Sequence, residues 1–278
     1  MKVALCCIGR MENKYAVEYV ENYKQLGFDK IFIYDNNYDG EEHFEDVLQS
    51  YIDDGFVEII NYRNRAYCQL QAYQECYDNH GKEYDWIAFF DFDEYLTLNF
   101  YHGIKHFLSS DIFELFDMIH VNWKIYGDSN LLEEDDKRLL EKFTEPVKPI
   151  FFKKTFDFPE NCHAKSIIRG GLEVDWANTP HTPSNFLWCC TTRGVNCDPQ
   201  SPFVITCDFD NCYIKHFVTK TIDEFYNNKV KRGYPDGNKD FFKDNDWIKD
   251  FFKYNIVTKE KIEWLKNNGF NTDEIINK

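Results

Sequence analysis

The sequence from residue 86 to residue 96 is Trp86-Ile87-Ala88-Phe89-Phe90-Asp91-Phe92-Asp93-Glu94-Tyr95-Leu96. It begins with five apolar residues, a pattern typical of a strand that is buried on both faces of a parallel sheet. Three carboxylates then follow within four residues. Because alternate side chains of an extended backbone share a face, we expect Asp91 and Asp93 to point the same way, about 7 Å apart.

The two carboxylates Asp91 and Asp93, at the end of the predicted strand, indicate a ligand site. The carboxyl end of a buried parallel strand is where open α/β sheets bind ligands. Carboxylates this close repel each other unless a cation or a shared proton lies between them. Oxygen ligands that face one way suit Mg²⁺ or Mn²⁺, and such ions complete their shell with substrate phosphates. The stretch therefore predicts a metal site, with a solvated acidic turn as the alternative.

The residues before this stretch alternate between strand-like and helix-like patterns. Strands are predicted at residues 3–8, 30–34, 57–60 and 86–90, and helices at residues 15–26, 44–51 and 66–80. Repeated strand–helix–strand units predict a parallel sheet with right-handed crossovers and helices on both faces. We therefore expect an α/β fold in which the polar residues after the second and fourth strands face the same edge of the sheet.

After residue 100 the alternation is weaker and the predicted elements are short. They are a helix at 102–110, strands at 118–123, 150–152 and 166–168, and helices at 225–232, 247–252 and 259–267. The sequence contains no repeat and no linker-like stretch. We therefore predict a single domain over residues 1–278, made of residues 1–100, residues 101–235 and a C-terminal helical extension (236–278).

The charge of the chain limits its partners. The 278 residues carry a formal net charge of −16, which argues against nucleic-acid binding because phosphate backbones are bound through Lys and Arg. It also argues against a broad electrostatic attraction to anionic lipid. An acidic protein that binds a phosphorylated ligand needs a local cation, and this agrees with the predicted metal site.

Ten cysteines are spread along the chain without a Cys-x-x-Cys pair. Buried free thiols in a reducing cytoplasm explain this pattern better than a disulfide framework does. The six cysteines between residues 162 and 212 leave a metal cluster as an alternative. No apolar run approaches the ~18 residues of a membrane span. We expect a cytoplasmic protein that would reach a membrane only by peripheral docking.

Five motifs occur in a defined order along the chain. They are Ile33-Tyr34-Asp35-Asn36, Gln69-x-x-Ala72-Tyr73-x-x-Cys76, Asp91-Phe92-Asp93-Glu94-Tyr95, Trp123-x-x-Tyr126-Gly127-x-Ser129 and His216-x-x-x-Lys220-Thr221-x-x-Glu224-Phe225. Together they resemble the family 2 and family 92-like glycosyltransferases, over about residues 3 to 235. The resemblance implies a Rossmann-like GT-A fold, a nucleotide-sugar donor (a UDP-sugar), Mn²⁺ or Mg²⁺, and hexosyl transfer with inversion to a hydroxyl group of a glycan or other acceptor. It also implies a nucleotide-binding half (1–100) and an acceptor-binding and metal-completing half (101–235).

The same resemblance implies roles for individual residues. Asp35 would contact the uracil or the ribose, and Asp91 the ribose or the metal. Asp93 would bind the metal directly, and His216 would complete the metal shell. For His216 the alternative is a strand histidine whose hydrogen bonds are satisfied by its neighbours.

Basic and polar residues near the expected rim are further candidates for donor binding. Arg10, at the end of the first strand, would hold the base or the diphosphate, or else form a surface ion pair. Arg65 and Gln69 lie where a loop enters a helix, and helix N-termini favour anions. A short basic stretch would close over the diphosphate or line an amphipathic helix: Lys229, Arg232 and Gly233.

The resemblance also implies a base that removes the acceptor proton, in a window that contains Glu173, Asp175 and His181. The Glu-Asp pair usual in such enzymes is absent from this window. Asp175 is the first candidate, followed by Glu173, Asp128 and His181, and ordinary surface charge is the alternative for each carboxylate. Four aromatic residues are candidates for sugar stacking or for the core: Trp123, Tyr126, Trp176 and Trp188.

Three other functions are alternatives for a chain that carries Asp-x-Asp at the end of a strand. A haloacid-dehalogenase-like phosphatase would use Asp91 and Asp93, but its motif usually stands on the first strand, with Thr or Val where this chain has Tyr95. A sugar-nucleotide pyrophosphorylase is disfavoured because Gly9-Arg10-Met11-Glu12 is not the Gly-rich, Arg-containing loop expected there. An inactive nucleotide-sugar-binding module would keep the fold without turnover, and the presence of all three proposed metal ligands weakens this alternative.

Overall fold

The computed structural model of the chain describes residues 1–133, 135–147, 160–232 and 246–276. Two of the predictions above lie outside these residues, namely the strand at 150–152 and the contribution of Gly233 to the basic stretch. Residues 236–245 and 277–278 of the predicted C-terminal extension also lie outside them.

Strands and helices alternate through the first half of the chain. The strands are β1 (Val3–Gly9), β2 (Lys30–Asp35), β3 (Val57–Asn61), β4 (Trp86–Phe89), β5 (Glu94–Leu98), β6 (Met118–Ile125), β7 (Ala164–Arg169), β8 (Cys189–Thr191) and β9 (Cys212–His216). The helices are α1 (Asn13–Gln25), α2 (Glu45–Asp53), α3 (Gln69–His80), α4 (Ile104–Leu108), α5 (Leu139–Lys142), α6 (Ile222–Glu224), α7 (Asp246–Tyr254), α8 (Lys259–Asn267) and α9 (Asp273–Ile276). Within the described ranges, no helix combines the length and the hydrophobicity that crossing a membrane requires.

In the part of the chain that the structure describes, the strands form a nine-stranded sheet in the order β3-β2-β1-β4-β7-β6-β9-β5, with β8 paired to β6. Strands β3, β2, β1 and β4 pair in parallel. Strand β7 pairs antiparallel with both β4 and β6. Helices α1, α2 and α3 connect the four parallel strands, so the predicted α/β fold is confirmed.

Helix α1 packs against residues 86–96, the segment from which the fold was predicted. Tyr19 and Tyr23 are fully buried, and a buried tyrosine hydroxyl needs a hydrogen-bond partner. The hydroxyl of Tyr19 donates to the carbonyl of Phe90 (3.2 Å), and that of Tyr23 donates to the carbonyl of Glu94 (2.8 Å). The ring of Tyr19 lies 4.7 Å from that of Phe92. The helix therefore fixes the backbone on both sides of the Asp-x-Asp.

Several boundaries differ from the predicted ones. Helix α3 begins at Gln69 rather than at residue 66 because Asn64 and Tyr67 have φ values of 61° and 54°, in the left-handed region that a right-handed helix excludes. Strands β5, β8 and β9 were not predicted. In β9 the polar residues Lys215 and His216 follow one another, so the alternation that marks a half-buried strand is lost.

The chain divides into two compact units. The first comprises Met1–Lys124 and Pro149–His216, and the second comprises Ile125–Lys148 and Phe217–Lys278. The second unit has its own apolar core, in which Phe225, Trp247 and Phe251 are buried. Its helix α6 begins with a capping box in which Thr221 and Glu224 bond reciprocally.

Candidate active site

The Asp-x-Asp segment leaves β4 in a tight turn. The backbone N–H of Glu94 donates to the carbonyl of Asp91 (3.0 Å), and the N–H of Asp91 donates to Oε2 of Glu94 (2.8 Å). The prediction of an extended backbone from Asp91 to Asp93 is therefore wrong, because the Glu94 side chain folds back and closes a turn. As a result, Asp91 and Asp93 contact different groups.

Asp91 is held by three donors in the first unit. Its Oδ1 accepts hydrogen bonds from Nε2 of Gln69 (2.9 Å) and from the hydroxyl of Tyr73 (2.9 Å). Its Oδ2 accepts from Nζ of Lys165 (3.0 Å). Gln69 is thus brought to the rim as predicted from its place at the start of α3, but its partner is a carboxylate of the protein.

Lys165, on β7, is a buried cation among carboxylates. Its side chain is fully buried, and its Nζ lies 3.0 Å from Asp91 and 3.8 Å from Oε2 of Glu94. Burial alone lowers the pKa of a lysine, but the charges of Asp91 and Glu94 outweigh it and raise the pKa of Lys165. Burial raises the pKa of Glu94 well above its usual range, and Lys165 opposes this shift. The ammonium group therefore offsets the negative charge of the turn.

Asp93 and His216 meet through the pairing of β5 with β9. In this antiparallel ladder His216 lies opposite Glu94, the residue after Asp93. Nε2 of His216 lies 3.6 Å from Oδ2 of Asp93, and the two side chains expose only 8% and 15% of their surfaces. The ring of Trp123 packs against His216, with 4.1 Å between ring centroids.

The Asp93–His216 pair fits a divalent cation. A carboxylate oxygen and an imidazole nitrogen 3.6 Å apart are close enough for one ion with bonds of about 2.1 Å to bridge them. Nδ1 of His216 is buried and makes no hydrogen bond with any described residue. Among the described residues, Asp91 does not form a compact group of three ligand atoms with Asp93 and His216. The structure therefore brings two of the three predicted ligands together and pairs the third with Lys165.

Asp35 ends β2 as predicted and is buried there. Its Oδ1 accepts hydrogen bonds from the backbone and the side-chain amide of Asn37 (2.9 and 2.7 Å). Its Oδ2 accepts from Arg63 (2.7 Å), whose guanidinium also donates to two backbone carbonyls. Arg63 was not predicted, and it neutralises a carboxylate that would otherwise be buried with its charge uncompensated.

Arg10 and Arg65 lie at the same edge of the sheet. The guanidinium of Arg10 forms two hydrogen bonds with Glu41 (2.9 and 2.6 Å) and lies 4.2 Å from the ring centre of Tyr38. This is the ion pair that was the alternative to donor binding. Arg65 is exposed and lies 4.1 Å from the ring centre of Tyr62, so an aromatic face holds its guanidinium near the start of α3.

Two of the predicted bases, Glu173 and Asp175, are exposed in the first unit. The side chain of Asn185 fixes the backbone of both, because it accepts from the N–H of Asp175 (2.9 Å) and donates to the carbonyl of Glu173 (2.8 Å). The neighbouring Trp176 is buried against Tyr73 and Phe89. For Trp176 the alternatives were sugar stacking and core packing, and the structure therefore favours core packing.

His181 is placed close to the charges of the turn. Its Nδ1 lies 2.9 Å from the carbonyl of Ala164, and because a carbonyl only accepts, Nδ1 carries the proton and Nε2 has a free lone pair. Burial and the charge of Lys165 lower the pKa of His181 to about 3. Its ring also packs against Trp123 at 5.0 Å, the tryptophan that contacts His216. His181 is therefore a neutral acceptor at physiological pH.

The remaining candidates belong to the second unit. Asp128 is buried and forms an ion pair with the fully buried Lys261. Nζ of Lys229 donates to the carbonyl of Val218 (2.5 Å), and Arg232 is half-buried. The structure thus assigns Asp128 and Lys229 structural partners within this unit.

Like Arg63, Lys165 was not predicted from the sequence. It stands in the strand sequence Ala164-Lys165-Ser166-Ile167-Ile168-Arg169, where every residue except the last is buried. A lone charge in such a strand is a signal, because lysine is almost never fully buried without a partner. Its partner Asp91 is 74 residues away, and no local pattern identifies such a contact.

The sequence and the fold were compared with those of known proteins. The model of glycosyltransferase family 92 matches residues 3–176, well over half of the chain. No curated protein matches. Solved structures with similar folds include those of S. aureus TarS and of HddC from Yersinia pseudotuberculosis.

The structural similarities are distant. TarS is 13% identical with a TM-score of 0.37, and the match covers 49% of this chain and 23% of TarS. The fragment TarS 1-349, solved in complex with UDP-GlcNAc, is 11% identical with a TM-score of 0.36, covering 49% and 37%. HddC is 15% identical with a TM-score of 0.32, covering 62% and 71%. The chain therefore spans less than half the length of the TarS structures, and these similarities carry no inference about ligands.

Proposed function

The chain belongs to glycosyltransferase family 92, and on this premise we propose that it transfers a sugar from a nucleotide-diphospho-sugar to a hydroxyl acceptor with the help of a divalent cation. The main support is the approach of Asp93 and His216 to 3.6 Å beside the Lys165–Asp91 pair. These side chains lie next to the carboxyl end of a parallel strand, where sheets of this kind bind ligands.

The proposed cation is Mn²⁺ or Mg²⁺. Asp93 and His216 would hold it, and Asp91 would either add an oxygen ligand or accept a hydrogen bond from the donor ribose. When bound, such an ion neutralises charge that develops on a leaving diphosphate. The chain itself is strongly acidic, with a net charge of −16, so a bound cation would also reduce repulsion of the donor.

The donor is proposed to be a UDP-sugar that lies along the edge formed by β1, β2 and α3. Asp35, with Arg63, would fix the base or ribose end, and Gln69 would contact the donor from the start of α3. Arg10 and Arg65 would approach the diphosphate, with Arg10 exchanging part of its pairing with Glu41 for phosphate oxygens.

Transfer is proposed to occur with inversion. The acceptor oxygen would bond to the anomeric carbon while the bond from that carbon to the diphosphate oxygen breaks, and the acceptor proton would pass to a base of the protein. Asp175 and Glu173 are exposed carboxylates that can take this proton. His181 is the weaker candidate, because burial and the charge of Lys165 lower its pKa to about 3 and so disfavour its taking up a proton. Asp128 would first have to leave its ion pair with Lys261.

The acceptor is proposed to be a hydroxyl group of a glycan. A cytoplasmic location is proposed with it, supported by cysteines that are mostly buried as free thiols, as suits a reducing compartment. Any contact with a membrane is proposed to occur by peripheral docking.

The proposal is tested by donor hydrolysis and transfer with a panel of nucleotide-sugars, with and without Mn²⁺ or Mg²⁺. We expect metal-dependent release of the nucleoside diphosphate from one donor, and loss of this release in Asp93→Ala and His216→Ala. Asp111→Asn, at an exposed position in the short 3-10 helix Asp111–Phe113, is the matched control and should keep full activity.

Binding and phosphatase assays separate the alternative functions. Metal-dependent binding of UDP without turnover would indicate a binding module. Release of inorganic phosphate from phosphate monoesters, with inhibition by vanadate, would indicate a phosphatase. Full activity of Asp93→Ala would contradict the metal assignment.

A further inference from the structure

A second cluster of metal-ligating side chains lies in the first unit, apart from the residues proposed for transfer. It contains His120 on β6, Cys189 on β8 and Cys197 after a turn. Strand β8 pairs in parallel with β6, and Met118 is opposite Cys189. The cluster therefore joins three separate points of the chain at one place on the sheet.

The turn after β8 brings Cys197 back to Cys189. Cys190 and Asn196 form an antiparallel bridge, which places the two flanking cysteines opposite each other. The N–H of Cys197 donates to the carbonyl of Cys189 (3.1 Å). Directly opposed residues on paired strands carry their side chains on the same face, so both sulfur atoms point to one side of this hairpin.

The three ligand atoms are close together. Sγ of Cys189 lies 3.4 Å from Sγ of Cys197, and Sγ of Cys197 lies 3.9 Å from Nδ1 of His120. All three atoms lie within 4.8 Å of one another. Zinc bonds of about 2.3 Å to sulfur and 2.0 Å to nitrogen give separations of this size in a tetrahedral site.

The tautomer of His120 suits metal binding. The hydroxyl of Thr182 donates its one hydrogen to the carbonyl of Pro199, with Oγ1 and the carbonyl oxygen 2.5 Å apart. Oγ1 of Thr182 therefore accepts from Nε2 of His120, 3.3 Å away. The ring proton is then on Nε2, and Nδ1 presents its lone pair to the cysteines. A partner that fixes the distal nitrogen in this way is typical of metal-bound histidines.

We propose that His120, Cys189 and Cys197 form a site for a soft divalent cation, Zn²⁺ in the first instance. Binding would convert both cysteines to thiolates, and their protons would pass to solvent. Three protein ligands leave one tetrahedral position for water or another donor. His120 and Cys189 are buried, whereas Cys197 is partly exposed, so the ion can enter from the side of Cys197.

Two comparable clusters in the described residues lack these features. Cys162 and Cys207 approach to 3.7 Å, but no compact three-ligand group includes them. Asp35 groups with His43 and Glu45, but those two are exposed and Asp35 is already paired with Arg63. The His120 cluster is therefore the best candidate for a second metal site.

Binding of the ion would fix the conformation of the hairpin that follows β8. One ion would tie this hairpin to β6, the strand that also carries Trp123 against His216. The site would thus contribute to stability and would not take part in sugar transfer.

The test is the zinc content of the purified full-length chain after loading with Zn²⁺ under reducing conditions and gel filtration. We expect one zinc ion per chain in the wild type, and loss of it in His120→Ala, Cys189→Ser and Cys197→Ser. Cys190→Ser and Cys207→Ser are matched controls, because they remove thiols outside the cluster, and both should retain zinc. Thr182→Val should weaken zinc affinity by about 10- to 100-fold.

Two further measurements do not require the variants to fold. Co²⁺ bound to the wild type should give thiolate charge-transfer bands and the visible absorption of a tetrahedral site. Zn²⁺ should protect Cys189 and Cys197 from alkylation, as read by peptide mass spectrometry, and leave Cys207 unprotected. The proposal would be overturned by a wild-type chain that retains no zinc, by zinc that persists in the cluster variants, or by a Cys189–Cys197 disulfide that forms and persists under the reducing conditions of the zinc loading.

Discussion

Nζ of Lys165 lies 3.0 Å from Oδ2 of Asp91, and the lysine side chain is completely buried. The first carboxylate of the Asp-x-Asp is therefore neutralised by the protein itself. The second, Asp93, lies 3.6 Å from Nε2 of His216. This division of roles distinguishes the two aspartates, although they are two residues apart.

Replacing Lys165 with methionine should destabilise the protein strongly. The change leaves Asp91 and Glu94 without their buried cation, and breaking a buried pair costs about 3–5 kcal/mol in the free energy of unfolding. Urea unfolding monitored by circular dichroism measures this. Lys24→Met, which removes an exposed ion pair with Asp54, should change stability little.

A second variant separates charge from packing at this place. Adding Asp91→Asn to Lys165→Met removes one of the unpaired charges and should recover part of the lost stability. Equal stability of the single and double variants would show that Lys165 acts by packing alone.

Loss of either proposed metal ligand should change the metal requirement. Outer-shell changes at metal sites typically cost 10- to 100-fold in affinity, so Asp93→Asn and His216→Ala should raise the Mn²⁺ concentration for half-maximal activity by about 100-fold or more. Manganese titrations of donor hydrolysis measure this. An unchanged titration curve with lower turnover would place the cation elsewhere.

Asp128 can be tested as a base or as a structural residue in one double-mutant cycle. If its role is the buried ion pair with Lys261, Asp128→Asn and Lys261→Met should each lower the free energy of unfolding by about 3–5 kcal/mol. The double variant should then be more stable than the sum of the two effects predicts. A catalytic base would instead give a stable Asp128→Asn protein with little turnover.

The buried, neutral state of His181 predicts a pH dependence of stability. Its pKa is lowered to about 3 in the folded chain, whereas an unfolded histidine titrates near pH 6.5. Between these values the unfolded chain binds the extra proton, so the stability that His181 contributes is complete above about pH 6.5 and is lost as the pH falls. One such group contributes a slope of at most about 1.4 kcal/mol per pH unit.

Replacing His181 by glutamine should reduce this slope. Urea unfolding at pH 4.5, 5.5 and 6.5 compares the two proteins. Parallel pH profiles for wild type and His181→Gln would contradict the buried, neutral state.

Gly9, at the end of β1, makes room for the side chain between the two aspartates. A Cβ at this position would lie 2.5 Å from Cε2 of Phe92 and 2.9 Å from Cζ of Phe44. Overpacking of this kind costs about 1–3 kcal/mol. We expect Gly9→Ala to lower both stability and donor hydrolysis because Phe92 must move, and Phe92→Leu added to it should restore part of both.

Gly40→Ala provides the control for this comparison. It adds a Cβ where nothing lies within 4 Å, although its φ of +84° is strained for alanine. This variant should lose some stability without loss of activity per folded molecule. Equal activity losses in the two alanine variants would contradict the link between Gly9 and the turn.

The sequence predicts the parallel half of the sheet well because β1, β2 and β4 are buried on both faces and appear as continuous apolar runs. Antiparallel strands such as β9, which places His216 beside Asp93, carry mixed polarity and lack that signal. The polar partners are harder still to predict. Lys165 and Arg63 meet Asp91 and Asp35 across 74 and 28 residues, and such contacts are set by the tertiary fold.

The pairing of Glu94 with His216 makes strand register, rather than loop length, the quantity that sets the Asp93–His216 distance. A slip of β9 by one residue would bring Lys215 or Phe217 opposite Glu94 and turn His216 to the other face of the strand. Insertions in the exposed connections between Leu98 and Cys212 would leave this alignment untouched. The connecting segments can therefore vary widely in length while the distance between Asp93 and His216 is kept.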